Sequence, residues 1–190
     1  MNVPNAISLF RLALIPVFCG LVYTYVRGEE WLRYLAFITF ATAAISDFVD
    51  GYVARHFEQQ TKLGAILDPL ADKLLINLSL VFLAVSTEFD AQVPKWLPII
   101  ILGRDITIAF GAWLINKLMG PVRVRPRVLG KVATFGHSIG VGWVLLNVPY
   151  GFQALMVMVA ISLISLVDYT FYGFERVLPE YQERDGESDS

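Results

Sequence analysis

Residues 32–85 read LRYLAFITFATAAISDFVDGYVARHFEQQTKLGAILDPLADKLLINLSLVFLAV: two apolar stretches joined by a short polar connector, with acids gathered where each stretch meets it. Each stretch is close to the roughly 20 mainly apolar residues that a helix needs to cross about 30 Å of hydrocarbon. The same reading carried outward gives six stretches: Ala6–Val26, Leu32–Asp50, Gly64–Val85, Leu97–Ile115, Gly130–Asn147 and Ala154–Tyr172. Composition agrees. Of 190 residues, 56% are hydrophobic and 17% charged, with a mean hydropathy of +0.58; soluble domains average about 45–50% apolar and about 25% charged. A disordered chain, a nucleic-acid binder and an ordinary cytosolic enzyme are all disfavoured.

The first stretch reads as a retained helix, because Arg11 lies inside it, Pro16 interrupts it and no small-residue cleavage pattern follows. The connectors Arg27–Trp31, Val53–Leu63, Ser86–Trp96, Asn116–Leu129 and Val148–Gln153 are too short to be interdomain linkers. Basic residues concentrate in the second and fourth (Arg55, Lys62, Lys117, Arg123, Arg125, Arg127, with Lys131 just beyond), whereas the others hold Arg27 and Lys95, with Arg33 at an edge. The positive-inside rule therefore places the second and fourth connectors, and with six spans both termini, in the cytoplasm. The chain divides into a membrane domain, residues 1–173, and an acidic cytoplasmic tail, residues 174–190. The tail's Pro179, Gly186 and closing serines and acids are expected to leave it partly disordered. Without it, thirteen basic residues face eleven acidic ones. Trp31, Trp96, Trp113 and Tyr172 fall near span ends, as interfacial aromatics do, and the single cysteine, Cys19, reads as apolar filler.

The acids set this chain apart. Asp47 and Asp50 end the second stretch, and Asp68 and Asp72 lie in the first two turns of the third. A charge at the centre of a span costs about 2.5–3.5 kcal/mol, less near an interface, so such residues usually have partners or a function. The i,i+3 and i,i+4 spacings put each pair on one helix face, and the short connector is expected to bring the two faces together as an antiparallel pair. Gly51 and Gly64 flank the same surface and permit close approach of a ligand or backbone. Four carboxylates without nearby His or Cys form an all-oxygen site suited to Mg²⁺ or Mn²⁺. Two such ions balance all four charges, and metal pairs about 3.5–4 Å apart recur in phosphoryl chemistry. The competing readings are structural carboxylates paired to Arg55, Lys62 and Lys73, or an ion relay in a transporter. The expected fold is thus an all-α integral membrane protein of six transmembrane helices, with a polar, cytoplasm-facing active-site cavity.

The run Asp47-Phe-Val-Asp50-Gly51-Tyr-Val-Ala54-Arg55, then eight residues to Gly64, three to Asp68 and three to Asp72, resembles the signature of the CDP-alcohol phosphatidyltransferase family at all eight of its fixed positions. The opening run from Asn2 to Arg11 is similar to the start of the phosphatidylglycerophosphate and cardiolipin synthases within that family. The resemblance implies transfer of a phosphatidyl group from CDP-diacylglycerol to an alcohol, with release of CMP. It implies that Asp47, Asp50 and Asp68 hold two divalent ions, Mg²⁺ or Mn²⁺, and that Asp72 both touches them and takes the acceptor's proton. Gly51, Ala54, Arg55, Gly64 and Asn5 are implied at the CDP end; for Ala54 plain helix packing is an equal alternative on sequence alone. A homodimer in the membrane, the bacterial inner membrane if the chain is bacterial, is likewise implied.

The acceptor end is read from cations. Arg104 lies inside the fourth span, either paired with Asp105 or facing the cavity as a fork for the acceptor's phosphate. Lys131 opens the fifth span, and Arg123, Arg125 and Arg127 precede it with no acid between Asn116 and Asn147. For these three arginines the competing reading is attraction to anionic headgroups. The patch suits a phosphorylated acceptor, glycerol 3-phosphate first. The Arg104-Asp105 pair and the Arg125-Pro-Arg-Val-Leu-Gly-Lys131 run resemble the cardiolipin synthases, for which phosphatidylglycerol is the acceptor; the phosphatidylglycerophosphate synthases usually carry Arg-Glu. Asn77, His137 and Asp168 are expected to serve helix contacts or the interface. A small cation- or proton-coupled transporter is the reading from another class, though no internal repeat supports it.

Overall fold

The computed structural model describes the backbone of residues 3–56, 64–119 and 128–188 and the side chains of residues 7–46, 68–117, 130 and 132–171. The described chain folds as six α-helices: α1 (Val3–Thr24), α2 (Glu30–His56), α3 (Gly64–Val85), α4 (Trp96–Met119), α5 (Val128–Leu145) and α6 (Gly151–Ser188). Ile7–Thr24, Trp96–Lys117 and Gly151–Phe171 are long and apolar enough to cross a membrane, and Val132–Leu145 is a shorter apolar helix.

Two boundaries differ from expectation. The second helix runs past Asp50 to His56, so Gly51 is helical, and so are Ala54 and Arg55 of the expected connector. One glycine in a helix costs only about 1 kcal/mol, less than the backbone hydrogen bonds lost by stopping early where water is scarce. The acidic tail, expected to be partly disordered, continues α6 as helix to Ser188. Its Glu, Arg, Gln and Leu residues are good helix formers, and α6 supplies a nucleated helix to extend.

Successive helices alternate in direction. At one end the α1–α2 turn, where Gly28 takes a φ of 108°, is clasped to the α3–α4 loop. Arg27 pairs with Asp90 at 3.0 Å, its backbone N–H donates to Glu88 at 3.0 Å, and Tyr25 packs on Phe89 with centroids 4.8 Å apart. The α5–α6 turn joins them through Gly151, on which a Cβ would lie 3.5 Å from Ala91. There α5 closes with Asn147 left-handed at φ 50°, Val148 N–H on the Trp143 carbonyl and Asn147 N–H on that of Val144, a Schellman ending.

α3 is the central element, touching α1, α2, α4 and α5, while α6 packs on α4 and α5. α2 and α3 do touch, but α1 packs along both more extensively than they pack on each other. The expected antiparallel pair is present, with α1 wedged along both as a third helix. Phe18, Leu80, Leu83, Leu97, Val141 and Leu155 form the core. In lipid the force between helices is close packing more than hydrophobicity, and α5 meets α6 through glycines. A Cβ on Gly136 would sit 2.0 Å from Met158 Sδ, and one on Gly140 2.7 Å from Leu155 Cδ2. Ile38, Ile99, Ile106, Phe135, Ile164 and Phe171 are exposed on the outer surface.

Candidate active site

The end of the bundle opposite the clasp carries the acids. Asp68 and Asp72, one helical turn apart, are both half-buried near the start of α3. Ser8 of α1 donates its hydroxyl hydrogen to Asp68 Oδ1, which fixes that carboxylate from the wedge helix. Ser8 was not among the residues singled out from sequence; nothing in its neighbourhood distinguishes it from an ordinary span serine. Asp47, Asp50, Gly51, Ala54 and Arg55 lie on the last turns of α2, Gly64 opens α3 and Asn5 lies in the first turns of α1. The side chains of these seven residues are outside the described ones.

Further into the bundle lies a buried ion-pair node. Lys73, five residues on from Asp68 and so about 7.5 Å deeper along the helix, places Nζ 2.9 Å from Asp105 Oδ2 of α4 and 3.0 Å from Oδ1. Arg104 NH1 donates to the same Asp105 Oδ1 at 2.8 Å, and NH2 to Ser165 Oγ of α6 at 3.1 Å. Arg104 is 5% exposed. Of the two alternatives open for it, the pairing with Asp105 is present, and Lys73 joins the same carboxylate. Two cations thus share one largely buried acid, so these three residues together carry one excess positive charge. Gly130 of α5 leaves room beside it: a Cβ there would lie 3.3 Å from the Tyr169 ring and 3.7 Å from Arg104 NH2. Lys131 follows in the first turn of α5, its side chain outside the described residues, as are Arg123, Arg125 and Arg127 altogether. Ser165 is an addition to the sequence reading, whereas Lys73, named there as a partner for the acids, pairs with Asp105 of α4.

Among the described residues no three His, Cys, Asp or Glu side chains converge on a point; Asp68 and Asp72 are two of the four carboxylates that would do so. Their donor chemistry fits a hard divalent cation: carboxylate oxygens only, partly shielded from water, one oriented by a hydroxyl from a neighbouring helix. His137 is 2% exposed and bonded to the Met158 backbone of α6, the interhelical contact expected of it. Asn77 differs from expectation, donating to the Lys73 carbonyl of its own helix at 2.9 Å.

The family model for CDP-alcohol phosphatidyltransferases matches residues 1–167. The chain belongs to the CDP-alcohol phosphatidyltransferase family. Within it, the chain is 36% identical over 190 residues to the CDP-diacylglycerol--glycerol-3-phosphate 3-phosphatidyltransferase of Aquifex aeolicus, covering 95% of this chain and 100% of that protein. The likeness to the enzyme of the same name from Bacillus subtilis is 36% over 185 residues, 88% of this chain and 93% of the relative. With that of Escherichia coli strain K12 it is 32% over 174 residues, 88% and 92% respectively. The family match contains all eight signature positions, from Asp47 to Asp72, and also Ser8, Lys73, Arg104 and Asp105 of the two polar layers.

Proposed function

We propose that the protein transfers a phosphatidyl group from CDP-diacylglycerol to glycerol 3-phosphate, giving phosphatidylglycerophosphate and CMP in phospholipid biosynthesis. The observation that carries this reading is the stacking of two layers on one end of α3: the Asp68–Asp72 face, then the cation-rich Lys73–Asp105–Arg104 node. An acid layer suits a pyrophosphate held through cations, and an excess of buried positive charge suits a phosphorylated acceptor. The names of the full-length relatives support the same acceptor.

In this reading Asp47, Asp50, Asp68 and Asp72 hold two Mg²⁺ or Mn²⁺ ions, which when bound neutralise the pyrophosphate of the donor. Gly51, Ala54, Arg55, Gly64 and Asn5 line the CDP end. Lys73 and Arg104, together with Lys131, Arg123, Arg125 and Arg127, hold the acceptor's phosphate. Asp72 accepts the proton of the acceptor hydroxyl. The freed oxygen forms a bond to the phosphatidyl phosphorus in line with the departing oxygen of CMP, whose bond to that phosphorus breaks and which leaves with the electron pair.

The six helices are read as six spans, with both termini and the site cytoplasmic. Three connectors meet at the Arg27 clasp, and most of the loop arginines and lysines belong in sequence to the other two connectors, which the positive-inside rule assigns to the cytoplasm. The protein is thus a multi-pass membrane protein of the inner membrane in a bacterium, and we take it to be a homodimer.

The test is purified protein supplied with CDP-diacylglycerol, a divalent ion and a panel of acceptors, with the lipid product identified. Phosphatidylglycerophosphate, lost on chelation and in Asp72→Asn, is the expected result. Cardiolipin made from phosphatidylglycerol, the product favoured by the Arg104-Asp105 pair, would replace the acceptor assignment. Ion flux in proteoliposomes without CMP release would refute the enzyme reading.

A further inference from the structure

One helical turn below the ion-pair node lies a second, uncharged polar layer that the reaction as described does not use. Asn77 follows Lys73 by four residues on α3, and Ser162 precedes Ser165 by three on α6, so each sits on the face of a node residue but deeper in the bundle. His137 of α5 enters the same level: it bonds the Met158 backbone, four residues before Ser162, and lies in the field of Arg104, Asp105 and Lys73. Asn77 is 8% exposed, His137 2%, Ser162 1% and Arg104 5%. Each of these four buried residues carries a polar atom with no hydrogen-bond partner among the described residues: Asn77 Oδ1, His137 Nε2, Ser162 Oγ and Arg104 Nε.

Buried polar atoms without partners are rare, and each calls for an explanation. Here four arise on four different helices, Arg104 in the node and the others below it. Their chemistry is complementary. Arg104 Nε and Ser162 Oγ each offer a hydrogen. Asn77 Oδ1 offers lone pairs, and so does His137 Nε2, because the ring's other nitrogen carries the hydrogen given to Met158. Two hydrogens and two lone pairs are what one water satisfies in full; an alcohol hydroxyl, which has one hydrogen, satisfies both donors and one of the two acceptors.

We propose that Asn77, Arg104, His137 and Ser162 form a buried binding site for a single hydroxyl group, set between α3, α4, α5 and α6 beneath the phosphate-binding cations. The hydroxyl is supplied either by a resident water or, on the phosphatidyltransferase reading above, by the acceptor's second, unreacting hydroxyl. In the second case Arg104 reads two features of one acceptor, its phosphate through the guanidinium face at the node and its hydroxyl through Nε.

The experiment uses the full-length protein in detergent, wild type and Ser162→Ala, with CDP-diacylglycerol and either glycerol 3-phosphate or 2-hydroxyethyl phosphate, which lacks the second hydroxyl. Thermal unfolding is recorded without acceptor. If the acceptor fills the site, wild type prefers glycerol 3-phosphate and Ser162→Ala reduces that preference by about fivefold, the equivalent of one neutral hydrogen bond. If water fills it, the preference is the same in both proteins, while Ser162→Ala lowers the unfolding temperature and a high-resolution structure of wild type shows the water on these atoms. Unchanged preference together with unchanged unfolding overturns the proposal. Failure of the wild type to use either acceptor would refute the glycerol 3-phosphate assignment above, and the unfolding comparison and the structure would still decide the site. Ser162→Val, which fills the space without a hydroxyl, guards against a rearranged pocket: it must show the same loss as Ser162→Ala.

Discussion

Asp105→Asn tests whether the node holds Arg104 or Lys73. In the structure one Asp105 oxygen takes Arg104 at 2.8 Å and Lys73 at 3.0 Å. The side chains of Arg104 and Asp105 are 4% and 12% exposed, that of Lys73 39%. Removing the charge from one side of a buried pair costs about 3–5 kcal/mol, because the other ion stays buried. An exposed pair is worth only about 0–1 kcal/mol, since its lysine can turn to water. Asparagine keeps one carbonyl oxygen for Arg104, so the lower end applies, about 3 kcal/mol. For a chain of this size that is a fall of about 6–12 °C in the unfolding midpoint. The assay is thermal unfolding in mild detergent, run as two cycles. Asp105→Asn with Arg104→Met is expected to show a coupling above about 2 kcal/mol, and with Lys73→Met below about 1 kcal/mol. Asp105→Glu, which restores the charge on a longer arm, is expected to recover most of the stability and the KM for glycerol 3-phosphate. A midpoint for Asp105→Asn within a degree of wild type, or a Lys73 coupling as large as that of Arg104, would refute the reasoning.

Gly140→Ala is expected to cost about 1–3 kcal/mol through overpacking, because the added methyl meets Leu155, itself buried at 1% exposure. Gly136→Ala should cost less, since its obstacle is the thioether of Met158, a side chain that rearranges readily; unfolding midpoints compare the two. Ser8→Ala removes the hydrogen bond that orients Asp68 and is expected to raise the Mn²⁺ concentration for half-maximal CMP release by about 10–100-fold, the usual effect of losing an outer-shell partner. An unchanged Mn²⁺ requirement would make Ser8 a packing residue only.

How much was legible depended on what each feature responds to. The third stretch, Gly64–Val85, coincides with α3 at both ends, and the spans on α1 and α4 were read to within a few residues, because apolar length alone sets them. The end of α2 was not legible. Gly51 and a polar, charged run look like a loop by composition, whereas the hydrogen-bond ladder carries the helix through them. The pairs Asp68–Asp72 and Arg104–Asp105 were visible as residues, but partners across helices were not. Thr39, Ser79 and Thr107 each return a hydroxyl to their own helix four residues back, as span hydroxyls commonly do. Ser8 and Ser165 cross to another helix instead, and only the tertiary packing of α1 on α3 and of α4 on α6 tells the two kinds apart.

That packing also links the glycines of α5 to the polar layers. His137 lies between Gly136 and Gly140 in sequence, and the two glycines are what bring the α5 backbone against Met158 and Leu155. The Met158 carbonyl comes within reach of the imidazole because of that approach. Ser162 and Ser165 lie one and two turns further along the same α6, and Ser165 carries that helix's bond to Arg104 of α4. In lipid, where apolar burial contributes little between helices, close backbone approach and buried polar contacts are the main terms holding α5 and α6 together. Here the first creates the second. The α5–α6 pair at this end of the bundle therefore rests on one close approach, whereas the clasp at the other end is built on the largely exposed Arg27 and Asp90.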